Sequence, residues 1–338
     1  ITTGVQNTLI GGLAGDALQD ADHNTAIGSG ALTSDTLGSR STAIGAGALT
    51  FQNFTSATAT YNTAVGYDAG NAVTTGQYNT LLGALAGDSL TDSDQNVAIG
   101  YSALAADTLG RKSVAIGASA LKAQNFTSQT STYNVAIGSD AGQAVTTGVN
   151  NTLIGGLSGD ATTTGDDNTA LGYSSLGANT TGASNVALGT YALNGNTTAS
   201  NNTAIGRSAI SSNTIGGSLV AIGTNALYSN TTASNNTAVG YQSLFANTTG
   251  ASNTAVGYAS LNTNTTGTQN IGVGQGALYY NTTGAYNVAL GFESLQANQT
   301  ASNNTAVGHS ALKANTTGTG NAAFGRNSLI SNTTGSGN

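Results

Sequence analysis

Closely spaced oxygen donors are the first residues of this chain that can do chemistry. Asp20 and Asp22 with Asn24, and Asp92 and Asp94 with Asn96, each read D-x-D-x-N, a spacing rich enough in oxygen to suit Ca²⁺. Asp16 and Asp88 precede these two sets, and Asp160, Asp166 and Asp167 with Asn168 form a third cluster. No glycine turn or terminal bidentate Glu completes an EF-hand loop, so a solvated turn copied by duplication accounts for the same residues without a metal. Ca²⁺ is the one cofactor the spacing suggests. Catalysis has little material. The two histidines, His23 and His309, fall in unrelated stretches, cysteine is absent, and the plentiful serines have no Ser-His-Asp arrangement around them. The 14 carboxylates suffice for a glycosidase pair, but such enzymes need a cleft, and this sequence barely interrupts its own regularity. The expectation is a chain with no catalytic residue.

Rings form a second candidate group. Phe51, Phe54, Tyr61, Phe126 and Tyr133 lie in or beside the segments F-Q-N-F-T-S and A-Q-N-F-T-S, in a chain only 6% aromatic. Exposed rings there offer stacking faces to the sugars of a host receptor; alternatively they cover the apolar side of a longer loop. Tyr67, Tyr101, Tyr173, Tyr241 and Tyr258 recur at one position of a repeat, where stacking along the exterior is expected. The N-x-[ST] sequons, Asn53 and Asn179 among them, are glycosylation acceptors in a eukaryotic secreted protein. Most are simply N-T-T turns whose side chains bond the local backbone.

The elements that position these residues follow from a repeat. The 338 residues include 48 Gly and no Pro, Cys, Met or Trp; only 6% are charged, but 38% are apolar. A disordered chain of this polarity normally carries charge and proline, whereas here the apolar residues recur in phase. The glycine closing N-T-A-[VIL]-G marks nineteen copies, from Gly11 to Gly325. Sixteen of the eighteen intervals are seventeen residues and two are twenty-one, the latter holding the Phe-containing inserts. From Asn7 to Asn151 a period of seventy-two is superposed. Residues 1–150 therefore read as two four-coil blocks and residues 151–338 as uniform coils.

Seventeen residues rich in Gly, Asn and Thr cannot hold a helix pair; short β-branched segments between Gly and Asn read as strands and turns. One copy cannot bury its own apolar face, so copies must stack. The fold class expected is all-β, a parallel β-solenoid or β-roll of seventeen-residue coils, roughly 90 Å long at about 4.8 Å per coil. Stacking places identical residues above one another. Asn179, Asn196, Asn213, Asn230, Asn247, Asn264, Asn281, Asn298, Asn315 and Asn332 share one position and are expected to form an amide ladder. Ala or Ser always stands three residues after the marker glycine, and Ala two before it in fifteen copies. Two small-residue faces exceed what a two-layer coil needs, which points to packing between chains. The chain begins and ends within a repeat and shows no capping copy, so a window on a longer fibre is expected.

The strings S-V-A-I-G-A-S-A-L (Ser113 to Leu121) and N-V-A-I-G-S-D-A-G (Asn134 to Gly142) resemble the head repeats of trimeric autotransporter adhesins. The consensus N-T-A-V-G-Y-x-A-L-x-x-N-T-T-G is similar to repeats of phage tail fibres that end in an endosialidase-type chaperone domain. The adhesin repeat is shorter than seventeen residues, and the neck, stalk and membrane barrel of that family have no counterpart here. The resemblance implies a left-handed parallel β-roll, a homotrimer, and an extracellular place on a cell surface or virion. Any glycan or protein receptor would be bound through regions outside this chain. A net charge of −7 gives no cationic stripe for nucleic acid, and no apolar run reaches the ~18 residues of a membrane span. The leading function is a non-catalytic shaft or head segment of an attachment fibre. The alternatives are an end-to-end polymerising matrix filament, or an ice-binding solenoid with a Thr-rich face.

Overall fold

The computed structural model describes residues 2–338. It is all-β, a repetitive parallel β-solenoid whose coils follow the repeat. The chain divides into two compact units, the first ending at Asn168 and the second running Thr169–Asn338. In the first unit, three-residue strands from Thr8–Ile10 to Thr152–Ile154 stack in parallel. Thr25 lies opposite Thr42, Ala26 opposite Ala43 and Ile27 opposite Ile44. The register survives the inserts, for Val114 still pairs with Val135. Each insert adds one short ladder of its own: Gly38–Ser39 pairs with Thr58–Ala59, and Gly110–Arg111 with Thr130–Ser131. The second unit repeats one coil from Thr169–Leu171 to Ala322–Phe324.

Each strand has one residue facing in and two facing out, as the two-residue period of a strand requires. The central Ala, for example Ala26 or Ala238, is fully buried. So is the Ala or Ser after the marker glycine, such as Ala31 or Ser243. This corrects the reading of one small-residue face as surplus. Both columns are used inside the same chain, and they carry no argument for or against a second one.

The marker glycine is required twice over. At Gly206 φ is +125°, and an added Cβ would lie 2.7 Å from the backbone carbonyl carbon of Gly223 in the next coil. Left-handed backbone also recurs at the Leu four residues further on, with φ of 53° at Leu227 and 50° at Leu244. That conformation costs an L-residue roughly 1–2 kcal/mol. Full burial of the Leu side chain returns about 1.5–3 kcal/mol, so the interior position outweighs the strain. Where this position is Gly, a Leu at the centre of a strand fills the space. A Cβ on Gly87 would meet Leu81 Cδ2 at 2.9 Å, and one on Gly159 would meet Leu153 Cδ2 at 2.7 Å.

Candidate functional site

The most ordered chemistry is inside the coils. In the second unit the Asn column forms a continuous amide ladder: Asn247 Nδ2 donates to Asn230 Oδ1 at 3.0 Å, and Asn264 Nδ2 to Asn247 Oδ1 at 2.9 Å. Each amide also donates to the carbonyl three residues ahead, as Asn247 does to Gly250 at 2.9 Å. A second Asn column, four residues before the marker glycine, binds differently. Asn236 Nδ2 donates to Gly250 O, and Asn253 N–H donates to Asn236 Oδ1 at 2.8 Å. Both columns are buried over most of their length, including Asn236, Asn247 and Asn253. Buried amides must be bonded, and here the bond partner is the next coil.

The first unit fills the same interior column with Leu18, Asp35, Gln52, Val73, Leu90, Asp107, Gln124 and Val145, all buried. Asp35 Oδ1 accepts the N–H groups of Gly38 and Phe54, and Oδ2 accepts Gln52 Nε2 at 2.6 Å. Gln52 Oε1 in turn accepts Asn62 Nδ2 at 2.9 Å. Asp107, Gln124, Phe126 and Asn134 repeat this network. Burial pushes the Asp107 carboxyl above its ordinary value, and the amide donors around it pull the other way. These two networks tie down the inserts. Sequence reasoning did not find them, although Asp35/Asp107 and Gln52/Gln124 stand at the ladder position, seven residues after a marker glycine.

The ring candidates separate accordingly. Phe54 and Phe126 are buried under their loops, so they offer no sugar-stacking face; the loop-covering reading is the one that fits them. Phe51, Tyr61 and Tyr133 are exposed. Tyr61 stacks on Tyr78 at 5.6 Å and lies beneath the Arg40 guanidinium, which donates to its hydroxyl at 3.3 Å. Lys112 donates to the Tyr133 hydroxyl at 3.1 Å and holds that phenol below its ordinary value. Along the position after the marker glycine, Tyr241 stacks on Tyr258 and Phe292 on His309.

In the D-x-D-x-N sets the asparagines are bonded to the neighbouring coil. His23, at φ 60°, turns the chain between Asp22 and Asn24. Asn24 is buried, with Nδ2 on Gly38 O and Oδ1 accepting Ser41 N–H. Asn96 is bonded in the same way to Gly110 O and Ser113 N–H. Neither amide is left to share a cation with Asp20 and Asp22 or with Asp92 and Asp94. Among the described residues no three His, Asp or Glu side chains gather to hold a metal. The aspartates instead staple coils: Asp22 Oδ1 accepts Val5 N–H at 2.8 Å, Asp94 Oδ1 accepts Gln77 N–H and Asp166 Oδ1 accepts Val149 N–H. Serine does this elsewhere, as Ser234 Oγ does for Gly217 N–H. The signal was Asp or Ser recurring six residues before the marker glycine.

The first unit also holds a groove of about 300 Å³, lined by Asp22, His23, Ser39, Arg40 and the segment Ala57–Ala59. It lies beside the short ladder of the first insert. His309, the other histidine, is in the second unit.

The class these features define is a repetitive parallel β-solenoid with hydrogen-bonded polar columns in its interior. No protein-family model matches the chain, and no curated protein is similar to it in sequence.

Proposed function

We propose that the chain is a non-catalytic shaft or head segment of a homotrimeric attachment fibre, placed outside the cell on a bacterial surface or a virion. The observation that carries this reading is the coil-to-coil bonding of the interior: each rung of the Asn ladder is held by the next, at 2.7–3.3 Å from Asn196 to Asn332. Such stacking supplies length and stiffness by repetition and leaves loops and exterior columns free to vary. Self-association finds support on the outward side of the strands. Ile10, Leu82, Leu171 and Ile222, each just before a marker glycine, leave aliphatic side chains exposed. Three chains turning these columns toward a common axis would cover them. Gel filtration coupled to light scattering tests the proposal. A discrete particle of three chain masses is the expected result. Open-ended polymers would favour the matrix filament, and a stable monomer would remove the trimer.

A further inference from the structure

The groove in the first unit has an internal counterpart, because residues seventy-two apart in the two blocks occupy the same place. Ser39 and Ala57 correspond to Arg111 and Gln129, Asp20 and Asp22 to Asp92 and Asp94, and Arg40 to Lys112. The short ladders beside them pair in the same register. In the second block the long side chains are in use: Arg111 Nη2 lies 3.2 Å from Asp94 Oδ2, and Gln129 Nε2 donates to Asp92 Oδ2 at 2.6 Å. In the first block, Ser and Ala are too short to reach those carboxylates, and the space they leave is the groove of about 300 Å³.

We propose that this groove binds a guanidinium group, that of an arginine side chain on a protein partner, seated as the chain seats its own Arg111 one block later. Asp22 keeps its two oxygens in separate roles. Oδ1 holds Val5 N–H, as Asp94 Oδ1 holds Gln77 N–H. Among the described residues nothing donates to Asp22 Oδ2, the atom that corresponds to the Arg111-bound oxygen of Asp94. A guanidinium nitrogen beside a single carboxylate oxygen, as Arg111 Nη2 lies beside Asp94 Oδ2, is a charge-assisted pairing. Arg40 does not oppose the arrangement, since Lys112 stands at the same place beside Arg111 and its charge is turned to a tyrosine hydroxyl, as that of Arg40 is. Ser39 Oγ accepts Asp22 N–H, and its short side chain lines the groove without filling it.

The test is a ligand-observed NMR titration of the full chain with N-acetyl-L-arginine amide, with its lysine analogue as control. Saturable binding at about 1 mM, the strength of a few polar contacts, is expected for arginine and at least several-fold weaker binding for lysine. Ser39→Arg with Ala57→Gln installs the second block's own residues, so the fold tolerates it; binding should fall at least tenfold. Asp22→Asn keeps an oxygen for Val5 N–H and should also weaken binding about tenfold. Arg111→Ser with Gln129→Ala should open a second site and double the bound arginine at saturation. No saturable arginine binding to the wild type would overturn the proposal. So would undiminished binding after Ser39→Arg with Ala57→Gln. Circular dichroism melts of each variant separate loss of the site from loss of the fold.

Discussion

Asn247→Ala removes one rung from the middle of the second unit's ladder, and the structure fixes what is lost. Asn247 Nδ2 is the donor for Asn230 Oδ1, and Asn247 Oδ1 is the acceptor for Asn264 Nδ2. Both neighbours are fully buried, so water does not replace the missing partners. Gly250 O keeps a second donor, Asn236 Nδ2, and is not orphaned. Asn230 Oδ1 is thus stranded, while Asn264 Nδ2 keeps Gly267 O, so the expected cost is about 1–3 kcal/mol. Coils interact only with their neighbours, so the loss should appear locally. Native-state hydrogen exchange should show faster exchange at Thr248 and Thr265, with amides in distant coils unchanged, and urea unfolding should begin earlier. Thr266→Ala, at an exposed position in the next coil, is the control and should stay within about 0.5 kcal/mol. If Asn247→Ala costs no more than this control, buried amide pairing is not what holds the coils in register.

Three further outcomes follow from the interior. Leu81→Ala should cost about 2–5 kcal/mol, because Gly70 and Gly87 offer no side chain to fill the space; Gly87→Leu, overpacked alone, should recover part of that loss when combined with it. This is read as a double-mutant cycle in urea. Gly206→Ala should lower the melting temperature sharply, since its φ and its approach to Gly223 both exclude a Cβ; an unchanged melt would contradict the close approach. Burial raises Asp107 in the folded state, so the fold binds its proton more tightly than the unfolded chain does. Its contribution is fully present below the ordinary carboxylate value and is lost as pH rises through the raised folded value. Thermal melts carried upward in pH from the ordinary carboxylate value should therefore show a destabilising slope that Asp107→Asn reduces, whatever that variant's baseline. Asp88 and Asp160, also raised by burial, leave a residual slope of the same sign.

Period and composition were sufficient to read the coil, its register and the Asn column, because a stacked repeat repeats its interior constraints at every copy. The direction in which a side chain points was harder to read, and this bears on the candidate sites. Alternation places D-x-D-x-N on one face of an extended strand. His23 takes a left-handed conformation and sends Asn24 inward to the ladder that holds Ser41. The two small-residue columns looked redundant for a similar reason. A strand of three residues followed by left-handed turns brings the Ala before the marker glycine and the Ala after it to one interior. Phe54 and Phe126 were ambiguous because an insert's polarity does not reveal the buried carboxylate beneath it. Asp35 and Asp107, at a position filled elsewhere by apolar residues, amides or Thr162, receive the backbone N–H of each Phe. An acid inside a nearly chargeless repeat is costly unless several donors converge on it, so its presence marks the place where the backbone departs from the coil. The same reasoning applies to the groove. A departure from the repeat is informative when another copy shows what normally fills the space, and in this chain the second block does so with Arg111 and Gln129.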